Sequence, residues 1–140
     1  SMIKKVFLDS DIILDVATGR MPFVERSKSV LASIENGNLI GYISSNSVTD
    51  IYYILRKIST STKAKSFIEQ LLTYIMVLPV THEAIIEALK LDFSDFEDAV
   101  QHQCAVANQC ECIITRNRED YKKSKLNIYN PEEFLALLGK

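Results

Sequence analysis

Short, mostly apolar runs alternate along the chain with longer stretches in which apolar residues recur every three or four positions. A short apolar run bounded by polar residues is typical of a buried strand, whereas the longer period is typical of an amphipathic helix. The pattern predicts strands at 6–8, 39–44, 76–80 and 112–115, with a further short strand at 127–129.

The stretches between these strands carry helix signals. Ser10, Thr81, Ser94 and Asn130 are residue types that cap helix N-termini, and the segment from Ser94 to Glu97 has the form of a capping box. Helices are expected after residue 10, from 23 to about 36, at 45–57, 62–74, 82–89 and 95–108, and after 130. Strands separated by helices favour βαβ units. We therefore predict an α/β fold, a three-layer α/β/α sandwich with a mostly parallel central sheet of four to five strands.

Composition narrows the class of protein. The chain has 140 residues, 47% of them hydrophobic, and 16 basic against 18 acidic side chains give a formal net charge of −2. This length fits one domain, expected over residues 2–140 with Ser1 as an expression scar. No run approaches ~20 apolar residues, so no membrane span is expected. Three cysteines cannot all pair internally, which favours a reducing, cytoplasmic setting.

Acidic and amide side chains lie close to the ends of the predicted strands. Asp9 ends the first strand, Asp50 lies early in the helix after the second, Asp98 begins the helix before the fourth, and Asn117 and Asp120 follow the fourth. Sites in open parallel sheets form outside the carboxyl ends of strands. Clustered carboxylates repel one another unless a divalent metal neutralises them, and Mg²⁺ or Mn²⁺ suits such oxygen ligands. The alternative is that each acid is a helix cap or a surface residue.

Five segments resemble the motifs of PIN-domain nucleases, in the same order along the chain. They are FLDSDIILD at 7–15, ISSNSVTDIYYIL at 43–55, DFEDAV at 95–100, IITRNREDY at 113–121 and NPEEF at 130–134. The resemblance covers nearly the whole chain. It implies a metal-dependent ribonuclease that uses Mg²⁺ or Mn²⁺, and many bacterial members are toxins of the VapC type that an antitoxin protein holds inactive.

Carried over by position, the resemblance places Asp9, Asp98 and Asp120 around the metal. Asn117 stands where many members have another Asp, so it is either a neutral ligand or a polar support. Asp50 stands where most members have Glu, and its shorter side chain would reach the metal through water. These five residues are the predicted catalytic set.

The resemblance also suggests residues that contact RNA. Thr115 is expected to bond a carboxylate or the scissile phosphate, and Arg116 to hold a phosphate. Two groups of basic residues either hold flanking phosphates or are solvated; they are Arg56, Lys57, Lys63 and Lys65, and Arg116, Arg118, Lys122, Lys123 and Lys125.

A homodimer is expected too, because one helix cannot bury Tyr52, Tyr53, Ile54 and Leu55 together on a single face.

The remaining acids have structural interpretations. Glu97 is either the partner of Ser94 in the capping box or a residue near the metal. Asp11 is expected in the first turn of its helix, where the dipole favours it and where it could support the site. Asp15 is expected to be solvated.

Other chemistries fit the sequence less well. A metal-free mechanism would need a general acid and a general base, most often histidine. His82 is expected to be solvated, and His102 either lines the site or packs. Zinc bound by His102 and the cysteines is not expected, because residues 102 and 104 project about 200° apart on a helix. Two alternatives remain: a PIN-like module that binds RNA or protein without catalysis, and a haloacid-dehalogenase-like phosphatase suggested by Asp9 and Asp11 after a strand.

Overall fold

The computed structural model describes residues 3–139, and its core is one sheet of five parallel strands. Ser1 and Met2, where the expression scar was expected to join the domain, lie outside the described residues. The strands are β1 (Lys5–Leu8), β2 (Ile40–Ser44), β3 (Ile75–Leu78), β4 (Cys112–Ile114) and β5 (Asn127–Tyr129). Their order across the sheet is β3-β2-β1-β4-β5. The predicted parallel α/β architecture is confirmed, with the upper of the two strand numbers.

Helices connect the strands on both faces of the sheet. They are α1 (Ser10–Thr18), α2 (Val24–Glu35), α3 (Ser45–Ile58), α4 (Ser61–Leu71), α5 (His82–Ala88), α6 (Phe96–Ala107) and α7 (Pro131–Leu138), with a 3₁₀ turn at Arg118–Tyr121. None of the helices in residues 3–139 combines the length and the hydropathy needed to cross a bilayer.

Alternate residues of the central strands face opposite helix layers. Val6 and Leu8 of β1 pack in the larger core, with side chains from α1, α2, α3, α4 and α7. Phe7, between them, packs on the other face with Cys104 of α6 and Tyr121. Because side chains alternate along a strand, this division makes the three-layer sandwich.

Two predicted N-caps are wrong by one residue. Asp95, not Ser94, caps α6: its backbone is extended and its carboxylate accepts the N–H groups of Glu97 at 2.8 Å and Asp98 at 3.4 Å. Both N–H groups bond the same oxygen, Oδ1, and an ionised carboxylate at a helix N-terminus is a stronger acceptor than a serine hydroxyl. Asp9, not Ser10, is the N-cap of α1, yet its side chain caps nothing. Its carboxylate is therefore free for other contacts.

β1 lies at the centre of the sheet, with β2 and β3 on one side and β4 and β5 on the other. The connections therefore run in opposite directions from β1, which makes it the topological switch point. The carboxyl ends of β1 and β4 are neighbours, with Leu8 paired to Ile114. Ligands bind to doubly wound sheets in the crevice at such a switch point. Asp9 and Thr115, the residues that follow these two strands, therefore lie in that crevice.

Candidate active site

Asp9 follows β1 at the carboxyl edge of the sheet and is buried, with 8% of its surface exposed. Its Oδ2 accepts hydrogen bonds from Thr115 Oγ1 at 2.8 Å and from the Tyr121 hydroxyl at 3.3 Å, and its Oδ1 accepts from Gln101 Nε2 at 3.3 Å. Burial raises the pKa of Asp9, although these donors oppose the rise. Neutral donors therefore fix the orientation of this carboxylate without neutralising its charge.

Asp98, on the first turn of α6, faces the same spot. The Tyr121 hydroxyl lies 3.3 Å from Asp98 Oδ1 as well as 3.3 Å from Asp9 Oδ2, so one phenol connects the two acids. Burial, followed by the charges of Asp9, Asp95 and Asp120, raises the pKa of Asp98 to about 7. Burial, followed by the charges of Asp9, Asp98 and Asp11, raises the pKa of Tyr121, which stays a neutral donor.

Asp120 and Asp50 lie at the rim. Asp120 is exposed on the 3₁₀ turn, and its charge contributes to the raised pKa of Asp98. Asp50 is half-buried on α3; after burial, its charge is the largest contribution to the raised pKa of Glu97. The fold thus brings Asp9, Asp98, Asp120 and Asp50 to one edge, together with Glu97. Of the two roles expected for Glu97, the capping box with Ser94 does not form, because Asp95 is the N-cap.

The donor set fits a hard divalent cation. Within residues 3–139, no lysine or arginine forms an ion pair with any of these carboxylates. As placed, no three acidic, imidazole or thiol groups of that segment could hold a metal ion by themselves. Carboxylate and hydroxyl oxygens without a positive partner match the chemistry of Mg²⁺ or Mn²⁺, which retain several waters in addition to a few protein ligands.

Asp11 is a site residue whose role the sequence understates. Its Oδ2 accepts from Thr115 Oγ1 at 3.3 Å, from the Arg116 N–H at 3.2 Å and from Asn117 Nδ2 at 3.1 Å. Its buried Oδ1 has no hydrogen-bond partner in residues 3–139. Burial and the charge of Asp9 raise its pKa to about 7. Asp11 thus fastens the loop after β4, including Asn117, to the start of α1. In the sequence, the only sign of this role is that an acid stands two positions after Asp9.

Arg116 is held on the opposite side of that loop. Its Nε and Nη2 donate to Asp15 at 2.6 and 3.1 Å, and its guanidinium carbon lies 4.1 Å from the centre of the Phe23 ring. Asp15 is only 1% exposed, so the expectation that it is solvated is wrong: the bidentate partner and the Ser27 hydroxyl at 3.4 Å compensate its burial.

A buried polar chain supports Asp9 from behind. Gln101 of α6, which donates to Asp9, accepts from Ser47 Oγ of α3 at 3.2 Å. Ser47 in turn bonds Ser44 at 3.2 Å and Ser10 at 2.6 Å. Sequence reasoning missed Gln101 and Ser47, because a polar residue within a helix gives no sign of which distant acid it contacts.

The histidines and cysteines have no contact with the acids among the hydrogen bonds of residues 3–139, and His82 is exposed at the start of α5. His102 is fully buried; its Nδ1 pairs with Gln103 Oε1 at 2.9 Å and its Nε2 accepts the Lys125 N–H at 3.2 Å, so it packs and anchors a loop. The three cysteines are buried free thiols, and burial raises the pKa of Cys104 to about 11. Neither a catalytic histidine nor a thiolate zinc ligand fits these contacts.

Two of the predicted phosphate-binding cations are paired on the surface. Arg118 lies 3.1 Å from Glu133, and Lys123 pairs with Asp92. Both pairs are exposed, and exposed pairs are weak, so they leave these cations available to an RNA backbone.

The chain is similar to several known proteins. A family model described as PIN domain matches residues 5–119. Ribonuclease VapC1 of Aquifex aeolicus is 26% identical over 136 residues, which cover 94% of this chain and 93% of that protein. Among solved structures, VapBC2 from Rickettsia felis bound to a promoter DNA fragment matches with a TM-score of 0.70 and 15% identity, over 90% of this chain and 98% of that one. The sarcin–ricin loop cleaving toxin VapC20 of Mycobacterium tuberculosis matches with a TM-score of 0.63 and 16% identity, over 77% of this chain and 86% of that one. The structural matches show a shared fold.

Proposed function

This chain belongs to the PIN-domain family, and from that premise we propose that it is a divalent-metal-dependent ribonuclease, a hydrolase of RNA phosphodiester bonds. One observation carries the proposal: Asp9 and Asp98, from different elements, share the Tyr121 hydroxyl, and no basic side chain of residues 3–139 is paired with either. The relative named ribonuclease VapC1 and the solved toxin structures support the same activity. The family match favours this nuclease over the phosphatase alternative.

We assign the metal to Asp9, Asp98 and Asp120, with Asn117 and Asp50 as supporting residues. A bound Mg²⁺ or Mn²⁺ would supply Lewis acidity that activates water and stabilises negative charge on the phosphate and the leaving oxygen. Short carboxylates from separate elements suit this task because each can approach a small ion closely.

The surrounding residues orient these ligands. Gln101 donates to Oδ1 of Asp9 and Tyr121 donates to Oδ2, and these two contacts together fix the plane of the carboxylate. Thr115 donates to Asp9 while its oxygen accepts the N–H of Asn117 at 3.0 Å. Thr115 therefore couples the position of Asn117 to that of Asp9, and its hydroxyl is occupied by a carboxylate, one of the two roles expected for it.

The activity assay is a mixed single-stranded RNA pool incubated with Mn²⁺, with Mg²⁺ or with EDTA. We expect metal-dependent cleavage by the wild type and none by Asp9→Asn, which keeps the shape but removes a charged ligand. Glu69→Gln, an exposed acid of α4, is the matched control and should cleave normally. Binding of RNA by the wild type without cleavage under any ion would instead identify the non-catalytic module, for which Asp50 and Asn117 in place of the commoner Glu and Asp are the support.

We also propose that the protein is the toxin of a toxin–antitoxin pair and acts in the cytoplasm. The solved structures with this fold include a toxin–antitoxin complex from Klebsiella pneumoniae and two VapBC structures bound to DNA. A small DNA-binding protein encoded beside this gene, whose co-expression blocks RNA cleavage, is the expected partner. Growth inhibition that the neighbouring gene does not relieve would contradict this proposal.

A further inference from the structure

We propose that a cavity of about 190 Å³ beside the acidic site is a subsite for one unstacked base of the RNA, an inference that rests on the proposed function. The cavity lies where the chain enters α2 and α7. Its walls include Pro22, Phe23 and Pro131, with the charged groups of Arg26, Arg116 and Glu132.

The cavity is adjacent to the carboxylates. Arg116 directly follows Thr115, whose hydroxyl donates to Asp9 at 2.8 Å. The Arg116 N–H also donates to Asp11 Oδ2 at 3.2 Å, so the residue whose side chain lines the cavity is joined through its backbone to the acidic site. A nucleotide next to the scissile phosphate can therefore place its base there.

The Arg116 wall is rigid and carries little free charge. The bidentate contact with Asp15 and the stack on Phe23 immobilise the guanidinium, and the buried carboxylate offsets its charge. Its Nη1 makes no hydrogen bond with any residue in 3–139, so one donor group stays available for a ligand. Because Asp15 already offsets the guanidinium charge, a phosphate gains little attraction here, and the immobilised donor can bond a neutral base with little loss of side-chain entropy.

The other groups match a flat ring with a polar edge. Proline and phenylalanine offer apolar surface, and single-stranded RNA bases are commonly held on aromatic rings or guanidinium planes. Arg26 and Glu132 form an exposed pair at 3.3 Å, which places one donor and one acceptor side chain together. The carboxylate disfavours a phosphate. Guanine presents two adjacent acceptors, N7 and O6, to an arginine and two adjacent donors, N1–H and the N2 amino group, to a carboxylate, so it is the base we expect.

Cleavage of a randomised single-stranded RNA, followed by sequencing of the product ends, tests the subsite. We expect the wild type to prefer guanine about tenfold at one position beside the cut, the size of a good base contact. Arg26→Gln and Glu132→Gln should reduce the preference to about twofold or less. Lys28→Gln, on the same helix as Arg26, and Glu25→Gln, another acid in the first turn of a helix, are matched controls and should retain it.

A binding measurement separates the subsite from the activity. We expect guanosine, added to the metal-free protein, to shift the Phe23 ring signals in NMR spectra more than adenosine, cytidine or uridine does, and the effect to weaken in Glu132→Gln. Wild type that binds guanosine there but cleaves no RNA would refute the ribonuclease proposal and keep the subsite. Cleavage with no base preference, or with one that Arg26→Gln and Glu132→Gln share with the wild type, would overturn the subsite and keep the ribonuclease. If a protein segment rather than an RNA base fills the cavity, we expect cleavage whose base preference does not depend on Arg26 or Glu132.

Discussion

Replacing Asp98 with Asn should stabilise the metal-free protein at high pH. No ion pair within residues 3–139 offsets the burial of this carboxylate, and Asp9, Asp95 and Asp120 add repulsion that raises its pKa to about 7. A group whose pKa is higher in the folded state binds protons more strongly there. Its ionisation therefore removes stability as the pH rises from about 4 to above 7. The amide that replaces this carboxylate in the variant cannot ionise and escapes that loss.

The structure sets the size of the effect. The difference between the usual 3.8 and about 7 would correspond to about 4 kcal/mol for a fully buried group. Asp98 is only half-buried, so solvent screening reduces this to about 1–2 kcal/mol. If Asp98 were only an acid in the first turn of a helix, the same substitution would cost about 0.3–1 kcal/mol. The two interpretations predict opposite signs.

The assay is urea denaturation in EDTA between pH 5 and pH 8, with melting repeated in Mn²⁺. Asp98→Asn should gain stability over the wild type as the pH rises, whereas Mn²⁺ should raise the melting temperature of the wild type more than that of the variant. Asp92→Asn is the control, because Lys123 lowers the pKa of Asp92 and its loss should not stabilise. RNA cleavage by Asp98→Asn at the wild-type rate would refute the metal-site assignment, and destabilisation at pH 8 would refute the repulsion argument.

Three further outcomes are expected. Arg116→Met should cost about 3–5 kcal/mol in urea denaturation, because it leaves Asp15 buried and unpaired, and adding Asp15→Asn should recover part of the loss. Burial lowers the pKa of His102, so acidification should destabilise the wild type relative to His102→Gln as the pH falls below about 6.5; parallel pH profiles would contradict this. Light scattering at tens of micromolar should give a dimer mass, reduced by Tyr53→Glu on the exposed face of α3, where Tyr53 is 56% exposed; a monomeric wild type would contradict the dimer.

The sheet could be predicted because its strands are short apolar runs with polar ends. Val6, Phe7 and Leu8 are all fully buried, which a parallel strand covered on both faces requires. The residues that cap the helix N-termini were harder to predict than the strands. Ser94 and Asp95 are both good capping residues, and which one adopts the extended conformation depends on how the preceding loop packs.

The partners of the site residues depended on contacts between distant segments. The sequence pattern predicted Asp15 to be a surface acid because its partner, Arg116, lies 101 positions away in the chain. Gln101 is separated from Asp9 by 92 positions and from Ser47 by 54. Local patterns predict which residues lie on a helix, but not which buried polar groups satisfy one another across three elements.

The placement of Arg116 explains how the fold keeps the acidic site negative. An arginine one residue after Thr115 could have paired with Asp9, which would have lowered the pKa of that acid and competed with a metal ion. Asp15 instead binds the guanidinium through two hydrogen bonds and holds it against Phe23. The loop after β4 therefore carries a cation close to the acids without neutralising them. The same ion pair that preserves the charge for a metal also fixes the wall against which we place the RNA base.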